Sequence, residues 1–309
     1  MKKHRNQFFR GSVFLLLIFI SCQLIAQTPH IESDSINQKR MNISLITGGS
    51  IMLGTYTSLY FLWYTEYPQS KFHWINDNHE WLQMDKLGHA TTTYHLSRFT
   101  CDVLRWSGLN NNQSAIYAGL AGFAGISLIE VFDGFSSGWG ASSGDLLANF
   151  SGSTLFTAQQ LLWKEQRLGL KYSFHRTDFP FYNPYLLGEN FVQELLKDYN
   201  GQTIWLTANI STFLPDKSRF PKWINLAFGY GADGMLGANG NLNVINEEPL
   251  PDFERKREFY LSLDVDLKRI PVRNKSLRTF LSILNIVKVP MPALEIDQHG
   301  NVRFWPIYF

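Results

Sequence analysis

Asp85 and His89 stand four residues apart, Glu130 and Asp133 three apart, and Asp145 and Asn149 four apart. On helices each pair shares one face, because residues three and four positions apart are neighbours there. Should those faces meet, they gather three aspartates, a glutamate, a histidine and an asparagine, with Lys86 and Ser143 beside them. So many ionisable groups are costly to bury unless they are paired, hydrogen-bonded or bound to a cation. Two chemistries fit. One is a polar pocket for a ligand's polar headgroup. The other is a divalent-cation site on His89, Glu130, Asp133 and Asp145, where the cation activates water and a carboxylate acts as base. The chain carries no G-x-S-x-G, P-loop, H-E-x-x-H or C-x-x-C pattern.

Each residue also has a plainer structural reading. His89 fits a satisfied core histidine, Asp85-Lys86 a charged helix start, Asp145 a helix N-terminus, and Asn149 with Gly152 close packing. Glu130 resists such a reading, because it ends a long apolar helix where a carboxylate needs a partner. His95, Arg98 and Asp102 are read as facing solvent or a neighbouring helix, and Asp233-Gly234 as a turn.

The elements that must position these residues are helical. Segments 85–106, 113–133 and 143–163 carry apolar residues at helical spacing. Ser142 or Ser143 supplies a cap for the last of them. Asn110 to Asn112 and the stretch Gly134 to Gly140 provide breaks. Before them, residues 42–64 contain no charge. That length can cross a bilayer, while Gly48, Gly49 and Gly54 equally suit a packing helix. Four helices with short connections predict a bundle, with a membrane-embedded version among the alternatives.

From Gln202 onward the period changes to two. Ile204, Leu206, Ala208 and Ile210 share a face, as do Ile224, Leu226, Phe228 and Tyr230. In REFYLSLDVDL, Phe259, Leu261, Leu263, Val265 and Leu267 oppose Glu258, Tyr260, Ser262, Asp264 and Asp266. Such alternation predicts antiparallel strands with one apolar and one polar face. The segment SLRTFLSILNIVKVP is ambiguous, a helix before Pro290 being one reading. RFWPIYF ends on an aromatic at an alternating position, as outer-membrane barrels do, although Pro306 weakens the strand and a small single-chain barrel needs at least eight. The fold class is therefore α+β: a helical bundle followed by an antiparallel sheet or a small barrel-like domain.

Composition bounds the setting. The chain has 309 residues, 45% hydrophobic and 15% aromatic, with a formal net charge of +2. Nothing in that balance recruits nucleic acid. MKKHRNQFFR followed by GSVFLLLIFIS reads as a signal peptide, expected to be cut after Ala26. The rival reading makes Phe19-Ile20-Ser21-Cys22 a lipobox with Cys22 acylated. Removing residues 1–26 takes four basic side chains, leaving 24 Lys+Arg against 26 Asp+Glu. Cys101 is then the one remaining cysteine, so no internal disulfide is expected.

DKLGHATTTY, SLIEVFDGF and GWGASSGDLLANFSG resemble the D-K-x-x-H, E-x-x-D and G-x-x-x-S-x-x-D-L-x-x-[ND]-x-x-G blocks of the YfiM-type envelope lipoproteins, an uncharacterised family. KDYNGQTIWL and LAFGYGADGM extend the likeness to its longer, two-part members. A looser similarity is to VanZ-like membrane proteins, linked with glycopeptide resistance, although Gly138-Trp139-Gly140 stands where those carry an arginine. The resemblance implies an envelope location and no particular reaction. The organisation expected is a signal peptide at 1–26, a polar lead-in at 27–41, a helical bundle at 42–165, a connecting segment at 166–201 and a β-rich domain at 202–309. The function expected is that of a membrane-associated envelope protein, in the outer membrane in preference to the inner membrane or periplasm, with a membrane lipid or envelope component as partner. A metal-dependent hydrolase acting on an envelope substrate is the alternative.

Overall fold

Asn37, Asn110 and Ser142 each accept a backbone N–H from the residue three positions on, and each starts a helix. Such caps satisfy donors that the first helical turn leaves without partners. In the computed structural model, which describes residues 36–65, 67–241, 244–245 and 248–309, they open α1 (Gln38–Leu59), α3 (Asn111–Gly134) and α4 (Ser143–Leu162). Between them runs α2 (Met84–Trp106). The expected signal segment, the alternative acylation at Cys22 and the lead-in up to residue 35 lie outside the described residues. Ser142, not Ser143, is the cap of α4.

The chain divides into two units, each assembled from separated stretches. The helical unit comprises the described chain before residue 77, residues 92–165 and residues 272–283; the second comprises residues 77–91, 166–271 and 284–309. In the helical unit, α3 meets its neighbours through glycines at 119, 122 and 125. A Cβ on Gly122 would stand 2.1 Å from Ser97 Oγ and 3.1 Å from the Ser97 backbone nitrogen. Because main chain bounds that gap, side-chain rotation alone cannot open it. Gly122→Val is expected to cost about 1–3 kcal/mol by overpacking, read as a lower thermal midpoint; an unchanged midpoint would show that these helices separate freely.

Among the described residues α3 is the helix long and apolar enough to cross a membrane, with mean hydropathy 1.7 over its best window and only 33% of that window buried. The uncharged segment 42–64 becomes α1 and one π-type turn, and α1 buries none of its residues. α6 (Lys275–Leu284), whose sequence reads either way, forms a strongly amphipathic helix that buries Thr279 and Ser282. Arg98 on α2 donates to the Ser282 carbonyl at 3.2 Å, so it faces a neighbouring helix.

The second unit holds a six-stranded antiparallel sheet of β1 (Leu168–Phe174), β2 (Gln202–Asn209), β3 (Ile224–Asp233), β4 (Lys256–Val265), β5 (Met291–Asp297) and β6 (Val302–Tyr308). α5 (Phe191–Lys197) precedes β2. Neighbours in the sheet follow chain order from β1 to β6, an up-and-down arrangement. Pro306 sits on the last strand, where the register with β5 shifts between Trp305 and Tyr308, a position that tolerates a missing N–H. The sheet is strongly curled: Tyr308 reaches from β6 to Thr203 Oγ1 on β2 at 3.0 Å and packs on Trp205 and Tyr260.

Candidate functional site

A turn of unusual backbone delivers the first residues of α2. Trp81, Leu82 and Gln83 have φ of 47°, 49° and 67°. Left-handed backbone costs a residue with a Cβ roughly 1–2 kcal/mol, so surrounding contacts must hold three in succession. The Trp81 N–H donates to the Ala238 carbonyl at 2.8 Å, the Tyr230 hydroxyl to the Leu82 carbonyl at 2.5 Å, and Arg257 to Gln83 Oε1 at 2.9 Å. Beneath it, Met84 is fully buried with Ile204, Ala232 and Met235.

Asp85, Lys86 and His89 follow directly. Asp85 Oδ1 accepts from the Tyr199 hydroxyl at 2.8 Å, and Oδ2 from Lys86 Nζ at 3.2 Å. Lys86 Nζ also lies 2.7 Å from Asp77. His89 Nε2 is 4.0 Å from Asp85 Oδ1. Burial works to raise the Asp85 pKa, but His89, Lys86 and the Tyr199 hydroxyl outweigh it and hold the carboxyl below its ordinary value. Asp85 is therefore a carboxylate at neutral pH, with acceptor capacity for a cation.

In the helical unit a second polar group gathers side chains from three helices. Glu130, in the last turns of α3, accepts the Ser142 backbone N–H at 2.8 Å. Ser142 Oγ in turn accepts the Asp145 N–H at 3.1 Å. One turn along α4, Asn149 accepts from Thr93 Oγ1 on α2 at 3.1 Å and donates to Ser127 Oγ on α3 at 3.3 Å. Glu130, Asp145 and Asn149 are all buried, at 3%, 4% and 0% exposure. A trapped carboxylate facing Ser142 thus fixes how α4 begins, and Asn149 ties the three helices together.

Asp133 and Ser143 complete the expected set. Asp133 accepts from the Tyr64 hydroxyl at the end of the first helix, and burial, Asp133 and Glu130 together push the pKa of that hydroxyl up. Ser143 is exposed, being the first helical residue after the cap. Sequence reasoning missed Thr93, Ser127, Tyr64, Tyr199 and Asp77. Thr93 was within reach of it, since it lies four residues after His89, and Ser127 lies three before Glu130.

Beside this group lies an apolar cleft of about 260 Å³, lined on α1 by Ile43 and Met52 and on α2 by Leu96, Phe99, Val103 and Trp106. Thr93, Leu96, Thr100 and Val103 succeed one another at spacings of three, four and three, one stripe along α2. The polar contact to Asn149 and the apolar cleft thus occupy successive turns of one helix face.

The blocks carrying these residues decide the comparison with known families. Residues 73–160 match the family described as "Predicted periplasmic lipoprotein (DUF2279)". That stretch contains Asp77, the polar starts of α2 and α4, and the end of α3. It supports an envelope-associated protein, and its description names no activity. No characterised protein and no solved structure matches the chain.

Proposed function

We propose that the chain is an outer-membrane protein of the cell envelope whose polar helical site binds a phospholipid, with the headgroup at the polar side chains and an acyl chain in the apolar cleft. The observation that carries this reading is the stripe on α2, where a polar contact to Asn149 gives way within one turn to a cleft lined by Leu96, Phe99 and Val103. A bilayer lipid has that same division between a polar end and an apolar one. The site residues proposed are Asp145 and Asn149, in the same helical unit as the cleft, with Glu130 as a positioning residue behind Ser142. Asp145 lies one turn ahead of Asn149 on α4. The likeness of the motif blocks to YfiM-type lipoproteins supports the envelope setting.

A second reading rests on donor chemistry. Asp85 and His89, one turn apart on α2, are ligand types suited to a divalent cation, and such a cation could activate water against an envelope substrate.

Two measurements test the pair. Native mass spectrometry of detergent-purified protein incubated with phosphatidylglycerol is expected to show a stoichiometric complex that Asn149→Leu and Leu96→Glu both abolish while circular dichroism stays unchanged. No complex with the wild-type chain defeats the lipid reading. For the cation, His89→Ala is expected to remove bound divalent metal, measured by elemental analysis, without unfolding. Wild-type protein that binds no added Zn²⁺, Mn²⁺ or Mg²⁺ defeats the hydrolase.

A further inference from the structure

The six-stranded sheet is built the wrong way round for water. Across its whole width one register row reads Leu170, Leu206, Phe228, Leu261, Leu294 and Phe304. The last five are 41–60% exposed. The adjacent row on the same face adds Phe259, Ile296 and Val302, while its other members Ile204 and Tyr230 are covered by Met84 and the turn at Leu82. The one side chain charged at neutral pH on this outward face of the strands is Arg257, at the end where it bonds Gln83.

The opposite face is polar and buried. Lys171 Nζ lies 2.7 Å from Asp264, with their side chains 2% and 0% exposed. Asn225 and the Val289 N–H also donate to Asp264, at 3.2 and 3.1 Å. Lys288 lies over the Trp205 ring at 4.5 Å. Glu258 accepts from the Tyr260 hydroxyl at 2.7 Å, and Glu295 from Trp305 Nε1 at 2.5 Å. Tyr308 closes over this interior.

A sheet in water lowers its free energy by hiding its apolar side and leaving its polar side wet. Here the charged side is desolvated, at a cost of several kcal/mol per ion before pairing. Meanwhile an apolar row running across five strands is left outside, where a contiguous exposed apolar patch marks a surface that meets something other than water. That arrangement is favourable only where the exterior medium is less polar than the interior, as on the lipid side of membrane barrels. A protein partner would need to wrap the outer side of a curled sheet through all six strands, whereas acyl chains conform to it. β3 and β4, at 10 residues each, have the length of strands that cross a bilayer.

We infer that the outward face of this sheet, centred on Phe228, Leu261 and Leu294, is in direct contact with the acyl chains of a bilayer. The inference rests on the reading of the chain as a membrane protein and adds the surface that touches lipid, independently of the helical site.

Single cysteines placed at Leu261, Leu294 and Phe304 in the full chain with Cys22→Ala and Cys101→Ala, labelled with an environment-sensitive fluorophore, test it. The protein is reconstituted in phosphatidylethanolamine and phosphatidylglycerol vesicles containing doxyl-labelled chains. Quenching by the doxyl lipid is expected to be severalfold stronger at these positions than at a control cysteine replacing the exposed Lys217 in the 214–219 loop, and aqueous iodide should show the reverse order. Three positions on separate strands give the same readout should one variant fail to fold. Iodide quenching at all three, with the protein still sedimenting with the vesicles, overturns the lipid-facing sheet and leaves membrane association standing. Disulfide cross-linking between copies at these positions without doxyl quenching overturns it in favour of a second copy of the chain. Failure to sediment with vesicles at all overturns the membrane reading itself.

Discussion

Asp264→Ala is expected to destabilise the protein by about 3–5 kcal/mol, the range for removing one partner of a buried ion pair. The carboxylate is the meeting point of three donors, Lys171 Nζ, Asn225 Nδ2 and the Val289 N–H. Its removal strands a lysine with almost no access to water. Asp264→Asn should lose nearly as much, because the amide keeps one acceptor but no charge. The double replacement Lys171→Met with Asp264→Leu is the informative companion. Exchanging a whole buried pair for apolar side chains of similar size is often neutral or stabilising, so the double variant should recover most of the loss. Thermal unfolding in detergent, followed by circular dichroism, measures all three. A single variant within about 0.5 kcal/mol of wild type, the span of ordinary surface substitutions, would mean that water reaches this pair.

Leu261→Arg probes the other side of the same strand. At a water-facing position such a change stays within about 0.5 kcal/mol. At a lipid-facing one, arginine costs roughly 2–4 kcal/mol near the bilayer midplane. The expected result is a large drop in folded protein recovered with vesicles, little change in detergent-free solubility of misfolded material, and a similar loss for Phe228→Arg, its register neighbour on β3. Lys217→Leu, in the exposed loop, should not alter recovery. Folded Leu261→Arg protein at wild-type yield in vesicles would sink the prediction.

Much of the fold was legible because periodicity is a local signal. The segments read as helices at 85–106, 113–133 and 143–163 form within one or two residues of those bounds, and the alternation in REFYLSLDVDL becomes β4. Which face of that strand is buried was not legible. Alternation is symmetric, and only the surrounding medium decides whether Leu261 or Tyr260 turns inward. The site was partly readable for a related reason. Helical spacing placed Glu130, Asp145 and Asn149 on inward faces, but Thr93 and Ser127 are small hydroxyl side chains that composition gives no cause to single out. Asp133 shows the limit: spacing puts it on the face of Glu130, but its partner Tyr64 lies 69 residues away in the sequence, where no local pattern points to it.

The interleaving of the two units sets the order in which the chain can finish folding. α1 to α4 are complete by residue 162, yet the helical unit also includes residues 272–283, which are synthesised after four strands of the sheet. The sheet in turn awaits β5 and β6, and its closing contact joins Thr203 to Tyr308 across 105 residues. Contacts of such long sequence separation slow folding. Each unit is therefore held incomplete until the last segments arrive, and neither exists as a contiguous piece of chain that a protease could release or a truncation could isolate. During that interval both the rows of leucine and phenylalanine and the unpaired strand edges are open to solvent, a period of vulnerability to aggregation. A holding chaperone acting on the unfinished chain would protect it through that period.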